Sequence, residues 1–171
     1  LSCAQGGSAS RPFVIGDLPE FIESESNSLP AKAERVSLPV TINGQISGER
    51  DMDYFCFAAQ AGQVVVCEVL AQRLGSRLDP VLELQHLDGS SLRTQELRLG
   101  GDPVVAFKVP RSGDYRLRVA GLTKYGNPAF VYRINLTTKP FVHFTLPAGG
   151  RAGTRQQVQQ YVVTGDGYRV E

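Results

Sequence analysis

The sequence predicts an all-β fold, an antiparallel β-sandwich of about eight short strands. Three observations carry this. Runs of four to eight β-branched and aromatic residues recur along the chain, as in VVVCEV and FVYRINL. Clusters of Gly, Pro, Asn and Asp separate them roughly every ten residues. Helical periodicity is hard to find anywhere.

Composition agrees and excludes several functions. The 171 residues are 42% apolar, enough for a packed core, and rich in Gly (18) and Pro (10). The formal net charge is +1 with both signs interspersed, which argues against an electrostatic grip on nucleic acid. No run approaches the length of a membrane span. The first ten residues, LSCAQGGSAS, lack the basic and apolar regions of a signal peptide. The expectation is a removed leader or a piece of a longer chain. Three cysteines, Cys3, Cys56 and Cys67, form an odd set with no zinc spacing.

Residues 1–11 read as a linker or the end of a preceding module, with Cys3 exposed and unpaired. Phe13-Val14-Ile15 is a short β-prone run. Leu18 to Pro30 (LPEFIESESNSLP) is acidic and Pro-flanked, an ordered loop or edge segment. Ala31 to Arg35 suits one helical turn. Val36 to Ile42 is a strand, and Asn43-Gly44 signals a hairpin turn after it. Asp51 to Val69 reads as a central hairpin turning at Gln60-Ala61-Gly62-Gln63. Counting outward from that turn sets Cys56 opposite Cys67. They would form a cross-strand disulfide or remain two buried thiols, and the hydrogen-bonded register disfavours the bond. Leu70 to Asp79 holds a turn ending at Gly75. Further strands are Val81–His86, Leu92–Leu99, Val104–Val109, Tyr115–Val119 and Phe130–Leu136, broken by Asp88-Gly89, Gly100-Gly101 and Ser112-Gly113. After Lys139-Pro140 come Phe141–Leu146, a Gly-rich break, and Gln156–Thr164 with a turn at Gly165-Asp166-Gly167.

Residues two apart on an extended segment point the same way. Glu23, Glu25 and Asn27 therefore present oxygens together, and so do Asp51 and Asp53. Such a set suits calcium, which takes six to eight oxygen ligands. Ser47 is one further oxygen. The competing reading is a solvated acidic loop without metal. No nucleophile or metalloprotease motif is present, and His86 and His143 lie in β-prone runs without a partner pattern, so no enzyme is expected. Tyr54, Tyr115, Tyr125, Tyr132 and Phe130 are the candidate aromatic contacts for glycan or protein; of these Tyr115 and Tyr132 suit packing, and Tyr125 in the KYGNP loop is the expected exposed one. Asn135-Leu136-Thr137 matches a glycosylation sequon.

The order of LPAKA (29–33), DMDYF (51–55), AGQ (61–63) and GDYRLRV (113–119) resembles the bacterial pre-peptidase C-terminal domain. RPFVIGDLPE and RLGSRLDPVLEL resemble the versions in large secreted proteins of planctomycete-type bacteria. The resemblance spans roughly residues 20 to 138. It implies a jelly-roll-like sandwich, non-catalytic and appended to secreted or surface proteins, with calcium bound by some members. Position by position, it carries calcium ligation to Glu23, Glu25, Asn27, Asp51 and Asp53. Ser28 stands where the family often has Asp, and Ser26 where it often has Pro. The implied division is a linker or preceding module at 1–19, the sandwich at 20–138, and a following β-module or added strands at 139–171. The implied role is that of spacer, stabiliser or adhesion module, partnered by neighbouring domains. The alternative is a binding module for polysaccharide or fibrous extracellular protein, which an exposed aromatic strip would favour.

Overall fold

The computed structural model describes residues 2–3, 6–7, 12–92 and 95–171. In chain order its strands are β1 (Ser2–Cys3), β2 (Gly6–Gly7), β3 (Glu20–Ile22), β4 (Glu34–Arg35), β5 (Val40–Gln45), β6 (Met52–Ala59), β7 (Val64–Leu70) and β8 (Pro80–His86). They continue as β9 (Gln95–Leu99), β10 (Asp102–Lys108), β11 (Gly113–Gly121), β12 (Val131–Thr137), β13 (Phe141–Leu146), β14 (Gln159–Thr164) and β15 (Gly167–Val170). Apart from β1 and β2, the expectations for residues 1–11, including an exposed Cys3, lie outside the described residues.

Two sheets face each other. One has the order β3-β5-β12-β7-β10-β9, the other β4-β6-β11-β8. This is the expected sandwich, and the strands β5 to β12 are the eight anticipated. Two short additions differ from a wholly antiparallel fold, because β3 pairs with β5, and β4 with β6, in parallel. Phe13-Val14-Ile15 forms no strand, and Phe13 and Ile15 are exposed. The turn expected at Ala31–Arg35 is a 3₁₀ turn at Pro30–Lys32.

The central hairpin is overturned. β6 and β7 lie in different sheets, so the Gln60–Gln63 turn is an arch that carries the chain across the core. Cys56 lies opposite Arg116, while Cys67 lies opposite Val105 and Leu136. Both cysteines are free thiols. Cys67 is fully buried, and desolvation holds its thiol far above the usual range. The reason is burial. Phe55 and Phe57 on β6, and Val65, Cys67 and Val69 on β7, are two apolar rows. Stacked face to face they exclude water from both, whereas edge pairing would cover neither. Gly62, at φ +82°, supplies the left-handed residue of the arch. A parallel arch joins β10 to β11, and Ser112 Oγ accepts the Ala61 N–H at 3.0 Å.

The hairpin turn at Asn43-Gly44 is also overturned, since both residues lie inside β5 opposite Arg133 and Tyr132. The turn signal loses to packing. A Cβ at Gly44 would stand 2.4 Å from both Tyr132 Oη and Glu23 Oε2, so only glycine lets those groups approach the strand. The other turn signals hold. Gly100 and Gly101, both at positive φ, close the tight β9–β10 hairpin, and Gly75 ends a 3₁₀ turn at Gln72–Leu74.

Between the sheets, Phe57 packs on Phe107 and Tyr115 with ring centroids 6.5 and 6.2 Å away. The C-terminal strands form a separate sheet, β13-β14-β15, which lies against the outer face of the six-stranded sheet.

Candidate functional site

Four of the five residues singled out from the sequence, Glu23, Glu25, Asp51 and Asp53, meet at one edge of the sandwich, where β3 runs into the loop 23–29 and β5 runs into the entrance of β6. Three neutral groups bridge four carboxylates there. Tyr132 Oη lies 2.6 Å from Glu23 Oε2 and 2.6 Å from Asp53 Oδ2. Gln45 donates its N–H to Glu23 Oε1 (2.5 Å) and its amide Nε2 to Glu25 Oε1 (3.0 Å). Ser47 Oγ reaches Glu25 Oε2 and Asp51 Oδ2, each at 3.1 Å, and its N–H donates to Asp51 at 2.7 Å. Ser28 donates its hydroxyl to Asp51 Oδ1 at 3.2 Å.

Asn27 is buried but turned to a structural task. Its Nδ2 donates to Glu34 Oε2 at 3.3 Å, and its carbonyl accepts the Tyr54 N–H. Glu34 also takes the N–H and hydroxyl of Ser24, so it anchors the acidic loop. The sequence does not assign Tyr132, Gln45 or Glu34 to this site, and Tyr132 reads there only as a packing residue. Only the alternation of β12, which turns Tyr132 inward, gave any signal for them.

The electrostatics follow from the absence of a positive side chain among these contacts. Asp53 is 2% exposed, and desolvation, followed by the Glu23 charge, pushes its carboxyl up to about 9. Glu23 is raised too, mainly by burial, with the Glu25 charge adding to it. A phenol has one proton, so it donates to one of its two carboxyls and accepts from the other. Asp53, the more deeply buried, is the acid that keeps its proton. The donor set is all hard oxygen, the chemistry of calcium rather than zinc. Among the described residues, no three acidic, His or Cys side chains stand in a ready coordination shell. The carboxylates are spaced by the groups that bridge them, as befits a proton-held form. A cavity of about 410 Å³, lined by Ile22, Glu23, Glu25 and Gly44, opens the cluster to solvent.

Tyr115 and Tyr132 are buried and Tyr125 is exposed, as anticipated, and Tyr54, a candidate contact residue, is buried as well. A further aromatic strip lies on the C-terminal sheet. Phe144 stacks on Tyr161 at 4.3 Å and His143 on Tyr168 at 5.7 Å. His86 packs on Tyr115. Among the described residues, no helix is long and apolar enough to cross a membrane.

Fold and site together define a class: a β-sandwich module with a carboxylate-lined edge. No family model matches the chain. The fold is similar to the pre-peptidase C-terminal domain of a Bacillus anthracis collagenase, with TM-score 0.50 and 17% identity, over 71% of this chain and 100% of that one. The resemblance seen in the sequence therefore holds at the level of fold. Over 99 residues the chain is 34% identical to a probable subtilase-type serine protease of Deinococcus radiodurans, a match covering 56% of this chain and 14% of that protein. The chain thus corresponds to a small part of that curated relative. A weaker likeness links it to PliG of Salmonella Typhimurium, a periplasmic inhibitor of g-type lysozyme (TM-score 0.42, 20% identity, 61% of this chain and 97% of that one).

Proposed function

We propose that residues 20–138 are a non-catalytic module of a larger secreted, periplasmic or surface protein, acting as spacer, stabiliser or adhesion domain. Its partners are the neighbouring domains of the same polypeptide, and residues 139–171 open the next one. Calcium is its structural ion, held by Glu23, Glu25, Asp51 and Asp53, with Asn27 shaping the loop. The observation that carries this reading is the convergence of four carboxylates on Tyr132, Gln45 and Ser47 without a cationic partner among the described residues. Bound there, calcium supplies positive charge that ties the 23–27 loop to the start of β6. The likeness in fold to a collagenase domain, and in sequence to part of a protease, supports the setting.

The test is a thermal melt in chelator and in millimolar calcium. A ligand that binds only the folded state at about 100 times its Kd stabilises by about 2.7 kcal/mol. In a chain of this size that raises Tm by roughly 5–10 °C. An unchanged melt sinks the metal.

The aromatic strip favours a second reading, a binding module for polysaccharide or fibrous protein. Phe144 and Tyr168 are 40% and 49% exposed, enough to offer ring faces to a sugar. Co-sedimentation with insoluble polysaccharide, lost in Tyr168→Ala, would establish it. Absence of binding by the wild-type protein leaves the spacer role.

A further inference from the structure

The outer face of the six-stranded sheet has an unusual dry half. Val66 of β7 and Val104 and Ala106 of β10 point away from the sandwich core, yet they are 1%, 0% and 0% exposed. Val163 of β14 and Phe141 of β13 close over them. The β14–β15 turn meets backbone directly: a Cβ at Gly165 would fall 2.2 Å from Lys108 N and 2.9 Å from Phe107 C. The connection from β12 to β13 is only residues 138–140, and the Lys139 N–H is held by Thr137 Oγ1.

We infer that this half-face of β7 and β10 is a docking surface for the first sheet of the following module, forming a fixed joint. The partner it fits is an apolar β-sheet with a glycine at the point of closest approach. The spacer reading leaves the joint free to swivel; a dry cluster and a three-residue connection do not. Sandwich and C-terminal sheet then unfold together, and the next module leaves in a set direction. This rests on the reading that residues 139–171 open another module.

The chain has no tryptophan. Tyr168→Trp, on the exposed part of β15, therefore gives a reporter for the C-terminal sheet alone. In urea, its fluorescence and the far-UV circular dichroism should change at one midpoint. Separate midpoints in this otherwise native chain would overturn the joint. Val163→Asp, added to the reporter chain, places a carboxylate in the cluster. The fluorescence transition should then move down by about 1 M urea or more while the dichroism midpoint stays. Two curves still superposed at the original midpoint would overturn the joint. Two curves lowered together would overturn the separate-module reading instead, showing β13–β15 to be part of the sandwich itself. If Val163→Asp does not fold, Val163→Thr applies the same test with a smaller displacement.

Discussion

In chelator, the melting temperature should fall by roughly 5–10 °C as the pH rises from 5 to 9, the reverse of the usual trend for carboxylate-rich proteins. The sign follows from proton counting. Asp53 holds its proton in the folded state up to about pH 9, against an ordinary value of 3.8 when unfolded. Between those limits the folded state binds more protons, so its stability falls as protons are withdrawn. The contribution is complete below pH 3.8 and lost through 9. Glu23 is raised and acts in the same direction. The opposing groups are Asp17, Glu20, Glu83, Asp88 and Asp114, whose hydrogen bonds to Lys139, Arg133, Ser91, Ser90 and Arg35 lower them. Their window lies below their ordinary values of 3.8 to 4.5, so they are silent above pH 5. Calcium should reverse the trend, because it needs the carboxylates ionised and competes with protons for them. Asp53→Asn keeps the shape and removes the titration. It should reduce the fall in the chelator profile to the part that Glu23 supplies, and abolish the calcium response. A chelator profile that is flat or rising from pH 5 to 9 in the wild-type protein would falsify the assignment.

Asp102→Ala should lower stability by about 3–5 kcal/mol, the cost of leaving a buried ionic network half-made, with Tm down by about 10 °C. Asp102 is fully buried and accepts four donors: the N–H groups of Ala71, Gln72 and Arg73 at 2.9, 2.8 and 3.1 Å, and Arg73 Nε at 3.2 Å. The 3₁₀ turn Gln72–Leu74 has no side-chain cap of its own, so β10 caps it from across the fold. Arg73 continues the network to Glu68 and the Val69 carbonyl. The alanine variant strands three backbone donors and the Arg73 Nε–H, while the rest of the guanidinium stays on Glu68 and the Val69 carbonyl. Asp102→Asn retains one acceptor oxygen and should lose about half as much. Differential scanning calorimetry decides it, and a Tm within 2 °C of wild type for the alanine variant would remove the network from the account.

The role of Asp102 is not legible in the sequence. The residue follows the Gly100-Gly101 turn signal, and the turn is there. Its partners lie about thirty residues earlier, and no local pattern announces them. The acidic site was more legible, because alternate residues on extended chain share a side. That alternation pairs Glu23 with Glu25 and Asp51 with Asp53, and the two pairs converge. Tyr132 and Gln45, which bring the pairs together, come from β12 and β5 and carry no local mark.

The sequence by itself determined the strands and the bends. β-branched runs and glycines at Gly62, Gly75, Gly89, Gly100 and Gly101 act over a few residues, and each is where its pattern put it. Only the tertiary structure decided which strands are neighbours. The chain at Gln60–Gln63 can return beside itself or cross the core, and local geometry permits both. Crossing wins because it buries the Phe55 and Val65 rows against each other, and Asn43-Gly44 is drawn straight because Tyr132 and Glu23 need its empty side. Pairing is a contest over buried area across the whole chain, and no short stretch of sequence contains it.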